Sequence, residues 1–176
     1  MSWSRRVLLG AALAASAPLA LALPGCGFRP LYGDRGADPG AVELAAVAVG
    51  PIADRLGQIL RNDLTARLSP LGEPLQPRYR LKARLRQSSS SLAIQSDSSI
   101  TRFDLRIDVS FTLIEIASGR ALFQGKARAI GGYDAVQSDF ATLTAEQDSA
   151  RRTVREAADD IRTQLAVFFA RRVAGE

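Results

Sequence analysis

The residue with the clearest chemistry is Cys26, the only cysteine in this chain of 176 residues. It follows two arginines and an apolar run over residues 7–23. A basic start, an apolar stretch too short to span a bilayer comfortably and small residues before a cleavage point are typical of a secretory signal peptide. The pattern therefore predicts a cleaved signal at residues 1–25, with a diacylglycerol and an N-acyl chain, such as palmitate, on Cys26.

Two features of this segment leave alternatives open. Pro24 stands two residues before the cysteine, where a small residue other than proline is usual. An ordinary signal peptide or an uncleaved anchor is therefore the alternative to lipidation. Ser4 to Leu9 also resembles a twin-arginine export signal, and the residues do not decide between the two export routes. If Cys26 is acylated, each buried CH₂ contributes roughly 0.8 kcal/mol to membrane binding, so several chains form a lasting anchor.

The composition removes most of the side chains that catalyse reactions or hold metal ions. The chain has no histidine and a single cysteine, so it lacks the commonest general base, the commonest metal ligand and any intrachain disulfide. Glycine-rich phosphate loops and the nucleophile elbow are also absent from the sequence. We therefore expect no enzyme, no metal site and no cofactor other than the lipid on Cys26. The alternative is an anchored hydrolase that uses Asp104 and Asp108 as a carboxylate pair.

The charge of the chain is basic and is carried mainly by arginine. Lysine and arginine together number 23 against 18 acidic residues, a formal net charge of +5. Because a guanidinium holds phosphates and carboxylates in two-pronged geometry, this composition favours an anionic partner. Nucleic acid is not expected, since the basic segments lack interleaved aromatic residues and the chain carries an export signal.

The spacing of the apolar residues predicts one domain over residues 41–176, joined to the lipid by a tether over residues 26–40 that is rich in Gly, Pro and Asp. Alternation by two predicts strands, and apolar residues three and four apart predict helices. The predicted elements are a strand over 42–52, a helix over 54–68, strands over 78–86, 102–113 and 121–130, and a helix from about 138 to 172.

Three local signals set the predicted ends of these elements. Asp54 is the predicted N-cap of the first helix. Thr144 and Gln147 are predicted to form a capping box for the last helix. Gly131-Gly132 is predicted to end the fourth strand.

The economical fold for this order is an α+β two-layer sandwich, β-α-β-β-β-α, with two helices packed on one face of a four-stranded sheet. The other face is then polar and basic, because the second strand alternates apolar residues with Arg78, Arg80, Lys82, Arg84 and Arg86. Two interpretations of this face stay open. It is either a solvated surface with cross-strand pairs to Asp104 or Asp108, or a surface for an anionic ligand or partner.

Three short motifs, together with the element order, resemble one known family. The motifs are Cys26 to Tyr32, Ile94 to Asp97 followed by Thr101-Arg102, and Gly132 to Asp134 with Phe140-Ala141. The resemblance is to the lipopolysaccharide-assembly lipoprotein family LptE, in its alphaproteobacterial form. It covers essentially the whole chain after the predicted signal.

This resemblance implies an outer-membrane lipoprotein on the periplasmic side. Members of the family sit as a plug inside the β-barrel LptD, help that barrel to assemble, and with it insert lipopolysaccharide into the outer leaflet. The family also binds lipopolysaccharide, whose phosphates suit arginine. The residues expected to contact lipopolysaccharide or the barrel are Arg102, Arg106, Lys126 and Arg128. The alternative function is an auxiliary binding lipoprotein of an ABC-type lipid transport system.

Overall fold

The structure is a computed structural model that describes residues 39–91, 101–136 and 138–175. Within these residues the chain forms three helices and four strands. They are α1 (Pro39–Ala45), β1 (Val47–Val49), α2 (Asp54–Leu68), β2 (Tyr79–Ser91), β3 (Thr101–Glu115), β4 (Ala121–Ala135) and α3 (Asp139–Ala174). The predicted α+β fold is confirmed, with one more helix than expected.

The sheet has the order β1-β2-β3-β4. The short strand β1 pairs parallel to β2, and the other pairs are antiparallel. Alternation in β2 sets the face of each side chain, since Leu81 is fully buried while Arg80 and Lys82 are exposed. The same period holds in β3, where Leu105 and Ile107 are fully buried. The prediction of strands with one apolar and one polar face is therefore confirmed.

The two long helices cover the apolar face of this sheet. α2 packs over β1 and β2, and α3 packs over β3 and β4. The core between the layers consists of large apolar side chains with no exposed surface, among them Leu60, Leu64, Leu81, Ile107, Leu113, Ile161, Leu165 and Phe169. Burying such a side chain is worth about 1.5–3 kcal/mol relative to leaving it exposed, so this layer supplies the main stabilisation of the fold.

The prediction of a single first strand over 42–52 was wrong. The segment divides into α1 and the three-residue strand β1. The tertiary contacts of Glu43 favour the helix, because its carboxylate accepts a hydrogen bond of 2.7 Å from the Tyr79 hydroxyl and forms an ion pair of 2.7 Å with Arg78. Leu44 faces the core from the same turn.

The predicted end of the fourth strand at Gly131-Gly132 was also wrong, since β4 continues to Ala135. Gly131 is required by close packing rather than by a turn. An ideal Cβ on Gly131 would lie 2.9 Å from Ser149 Oγ on α3, so only glycine lets the helix approach the strand here. Ser149 in turn donates a hydrogen bond of 3.0 Å to the Gly132 carbonyl.

Neither predicted helix cap is found. The N-cap of α2 is Ala53, which has no side-chain cap bond, and Asp54 is the first helical residue with a positive φ of 68°. The N-cap of α3 is Ser138, whose side chain accepts a hydrogen bond of 3.4 Å from the Ala141 N–H. Thr144 lies inside the helix, where its hydroxyl donates to the Phe140 carbonyl.

Helix α3 is long for this sheet. Its 36 residues extend about 54 Å, and its buried residues begin only at Ser149. The first turns, which include Phe140 and Leu143, therefore present exposed apolar side chains at one end of the domain. Within the described ranges, no helix is long and apolar enough to cross a membrane.

An ion pair joins α2 to α3. Arg67 donates two hydrogen bonds to the Asp159 carboxylate, of 2.6 and 3.1 Å, and also lies 3.7 Å from Asp63. The hydrogen bond from Arg67 lowers the pKa of Asp159 below its ordinary value. The same bond raises the pKa of Arg67. Both groups are therefore charged at neutral pH.

Replacing Asp159 with asparagine is expected to lower the free energy of unfolding at pH 7 by about 0.2–1 kcal/mol, the range for exposed ion pairs. Because the folded pKa of Asp159 lies below the ordinary value of 3.8, this stabilisation is complete above 3.8 and is lost as the pH falls through the folded pKa. Urea unfolding at pH 7 and well below pH 3.8 measures the difference. The matched control is Asp160→Asn, an exposed neighbour, and a difference that does not change with pH would contradict the assignment.

Candidate functional site

The face of the sheet that the helices leave open carries most of the exposed charge of the strands. We call it the basic face. Its basic residues are all exposed and come from three neighbouring strands: Arg80, Lys82, Arg84 and Arg86 of β2, Arg102 and Arg106 of β3, and Lys126 and Arg128 of β4. They share this face because residues two apart on a strand point the same way.

A shallow concavity of about 1170 Å³ lies on one half of the basic face. Arg80, Lys82 and Arg84 line it on one side, and Lys126 lines it on the other. The register places Arg84 opposite Ser110 and Ser110 opposite Lys126, so the two basic rows flank a hydroxyl-lined middle strand. With strands about 4.8 Å apart, the Cα atoms of the two rows are separated by roughly 10 Å.

In the described part of the chain, the basic side chains that line this concavity have no matching negative charge. Among the described residues, no carboxylate forms an ion pair with any of the four cations that line it. Like charges on one strand face repel one another, so this arrangement is costly without an anionic partner. Guanidinium and ammonium groups at this spacing are suited to binding phosphate or carboxylate groups rather than to moving protons.

Of the predicted contact residues, Arg128 is already engaged within the domain. Its Nε donates a hydrogen bond of 2.7 Å to Asp108 Oδ1. The register places Arg86 on the other side of Asp108, while Arg84 faces Ser110. The carboxylate therefore neutralises a residue of β4 rather than the basic row of β2. With this partner, Asp108 does not stand free for the acid–base role that a hydrolase would need.

Arg102 and Arg106 lie toward the other end of the basic face. Arg106 is opposite Ser88 and Ile130, and Arg102 is opposite Asp134. Arg102 is eight residues along β3 from Ser110, about 26 Å, so it does not belong to the concavity. The four predicted residues therefore share one face without forming one cluster.

The residues at that distant end also form a small aromatic pair on the helix side. The rings of Phe103 and Tyr133 stack with centroids 5.2 Å apart. Burial raises the pKa of the Tyr133 hydroxyl, and the nearby carboxylate of Glu146 raises it further. The hydroxyl is thus held neutral, and the pair serves to pack the end of β3 and β4 beneath the first turns of α3.

Other predictions lie outside the described residues. These are the acylation of Cys26, the signal over 1–25 and most of the tether over 26–40. The row formed by Arg80, Lys82 and Arg84 was predicted as a basic strand face but not chosen among the contact residues. The signal that could have selected it is the unbroken run of basic alternate residues with no carboxylate between them. In the described part of the chain, no group of three or more potential metal ligands comes together.

Comparison with known proteins identifies the family. The family model described as LptE, lipopolysaccharide-assembly, matches residues 43–165. The chain belongs to the LptE family. The match runs from α1 through the whole sheet and well into α3, so it covers the basic face and both long helices. The LptE family consists of lipoproteins of lipopolysaccharide assembly and is not enzymatic.

The chain is also similar to individual proteins. An uncharacterized protein of Rickettsia prowazekii (strain Madrid E) is 30% identical over 130 residues, which cover 74% of this chain and 81% of that protein. A crystal structure named as a lipoprotein of Caulobacter crescentus CB15 has a TM-score of 0.63 and 23% identity, over 78% of this chain and 98% of that one. It shows the same fold. The structure of rare lipoprotein B from Shewanella oneidensis has a TM-score of 0.49 and 13% identity, over 69% and 93% of the two chains.

Proposed function

We propose that this protein is an outer-membrane lipoprotein on the periplasmic side, anchored by acylated Cys26, that plugs the β-barrel LptD and assists its assembly. The pair would insert lipopolysaccharide into the outer leaflet. The observation that carries the proposal is the LptE family match over residues 43–165, which spans every layer of the fold. The role is structural, in keeping with a family that is not enzymatic.

The basic face supports this role, because it gives the domain a surface suited to anionic groups. The concavity presents Arg80, Lys82, Arg84 and Lys126 without carboxylate partners among the described residues. Such a surface fits acidic side chains of a barrel lumen or the phosphates of lipopolysaccharide. Arg102 and Arg106 extend the same face, whereas Arg128 is held by Asp108 and contributes less.

Co-purification tests the proposal. The tagged protein is isolated from detergent-solubilised envelopes, and its partners are identified by mass spectrometry. We expect a stoichiometric outer-membrane barrel together with lipopolysaccharide. The recovery of an ABC transporter instead would favour an auxiliary subunit of a lipid transport system. Recovery of no partner at all would contradict the plug.

The lipid anchor is tested separately, with the substitution Cys26→Ala. This variant is expected to leave the membrane fraction while the domain stays folded, because the apolar core of the described residues runs from Leu44 to Phe169. Sedimentation of envelopes measures the release, and the intact mass establishes whether residues 1–25 have been removed. If the Cys26→Ala protein has lost residues 1–25 but stays in the membrane fraction, the lipid anchor is overturned. That outcome would not test the association with the barrel.

A further inference from the structure

The loop between α2 and β2, residues 69–78, exposes two leucines completely. The exposed fraction is 105% for Leu71 and 101% for Leu75, the highest among the exposed large hydrophobic residues of the described chain. A single exposed leucine is ordinary, but two lie on this short loop, on either side of Glu73, whose carboxylate is paired with Arg61 at 3.3 Å; we call this loop the apolar tip. Prolines at 70, 74 and 77 limit the conformations of the loop, so the tip is stiffened and keeps its leucines outward.

Both ends of this loop are fixed beside the end of α1. The Ser69 hydroxyl donates a hydrogen bond of 3.0 Å to the Ala45 carbonyl, and the Arg78 N–H donates one of 3.0 Å to the Ala46 carbonyl. α1 is seven residues long, about 10 Å. The apolar tip therefore lies at the end of the domain where the chain enters from Cys26.

The length of the tether limits how far this end can lie from the lipid on Cys26. About a dozen residues separate Cys26 from Pro39, which span at most roughly 45 Å when fully extended. The same end of the sheet carries exposed arginines, Arg120 after the β3–β4 turn and Arg171 in the last turn of α3. Arg172 of that turn is tied to Glu115 at the end of β3 by an ion pair of 3.6 Å. Exposed leucines and exposed arginines at the same end of a domain suit an anionic lipid surface.

We infer that Leu71 and Leu75 insert into the headgroup region of the membrane that holds the anchor, so that the loop is a second membrane contact. A single attachment point leaves a domain free to turn, whereas two points fix which end faces the lipid. The loop would thereby present the domain to its partner in one orientation. This inference rests on the proposed lipidation of Cys26.

Tryptophan fluorescence tests it in the full acylated protein. Leu75→Trp, and separately Leu71→Trp, is reconstituted into phosphatidylethanolamine–phosphatidylglycerol vesicles whose acyl chains are partly brominated. The wild-type protein is the blank, because its one tryptophan, Trp3, lies in the predicted signal over residues 1–25 and leaves with it. The matched control is Phe140→Trp, at an exposed aromatic position with 79% exposure. Phe140 lies in the first turn of α3, whereas the loop lies at the end of the domain where α3 ends, and the length of α3 separates the two ends by about 50 Å. We expect emission at shorter wavelength and several-fold stronger quenching for a tryptophan in the loop than for one at position 140.

Flotation of the vesicles separates the possible failures. Protein that floats with the vesicles, but whose loop tryptophans are quenched no more than the one at position 140, overturns the membrane contact and leaves the anchor intact. Protein that does not float overturns the anchor and the inference with it. A loop tryptophan that is shielded only when the barrel is added assigns the tip to a protein partner and also overturns the inference. The melting temperature of each variant shows that the domain is folded.

Discussion

Replacing Phe169 with alanine is expected to lower the free energy of unfolding by about 3–5 kcal/mol. Phe169 has no exposed surface, and its ring lies 5.1 Å from that of Tyr79, between α3 and the first residues of β2. Its removal leaves a cavity at the point where the last helix, the sheet and Phe168 meet, with centroids of the two phenylalanines 5.2 Å apart. Urea unfolding followed by far-ultraviolet circular dichroism measures the loss.

The matched control for this substitution is Phe140→Ala. Phe140 is the same residue type on the same helix but is 79% exposed, so its loss is expected to change stability by no more than about 0.5 kcal/mol. Equal effects of the two substitutions would mean that α3 is not held to the sheet through its C-terminal half.

The strands were predictable because their period is a property of the chain alone. In β2, and in β3 as far as Phe111, each buried residue is followed by a polar one, and a one-residue error would expose the whole apolar set. The extra helix α1 was not predictable in this way. It is only seven residues long, and the bonds that select it join Glu43 to Arg78 and Tyr79, which lie far along the sequence.

The glycine pair in β4 is a second feature whose role depends on tertiary contacts that the sequence does not reveal. From the sequence, Gly131-Gly132 is typical of a break in a strand. In the fold, Gly131 faces α3, where a side chain would collide with Ser149 and Thr153, whereas a Cβ on Gly132 would lie 3.5 Å from Arg102 on the basic face. Which helix passes over which strand is a tertiary fact, so a glycine required by close approach looks the same in the sequence as a glycine required by a turn.

The basic face was predicted as a surface, but which of its arginines pairs with a carboxylate of the same face was not predicted. The sequence contains Asp104 and Asp108 among the arginines and does not say which arginine each one meets. The register places Asp108 between Arg86 of β2 and Arg128 of β4, and the hydrogen bond of 2.7 Å goes to Arg128. Contact residues chosen without the register therefore included Arg128 and omitted Arg80 and Arg84.

The double substitution Arg80→Glu and Arg84→Glu is expected to remove most of the barrel from the purified complex. Both side chains are exposed and line the concavity, so the change replaces attraction with repulsion at the proposed contact. A like-charge contact at an interface costs several kcal/mol, and every 1.4 kcal/mol is about tenfold in affinity, so a loss of roughly a hundredfold is expected. The melting temperature should change little, because exposed substitutions usually stay within about 0.5 kcal/mol.

The matched control is Arg55→Glu with Arg152→Glu, which makes the same change in net charge on the helix layer. Quantitative mass spectrometry of barrel per tagged protein compares the two variants. Equal losses would show that net charge rather than the basic face decides the association. A full yield of barrel with less lipopolysaccharide would assign the basic face to the glycolipid. In that case the double variant Arg102→Glu and Arg106→Glu would show how far along β3 the contact with lipopolysaccharide extends. Loss of the barrel in the β2 variant alone would place the barrel contact at the concavity, since only there do two basic rows lie together without carboxylate partners among the described residues.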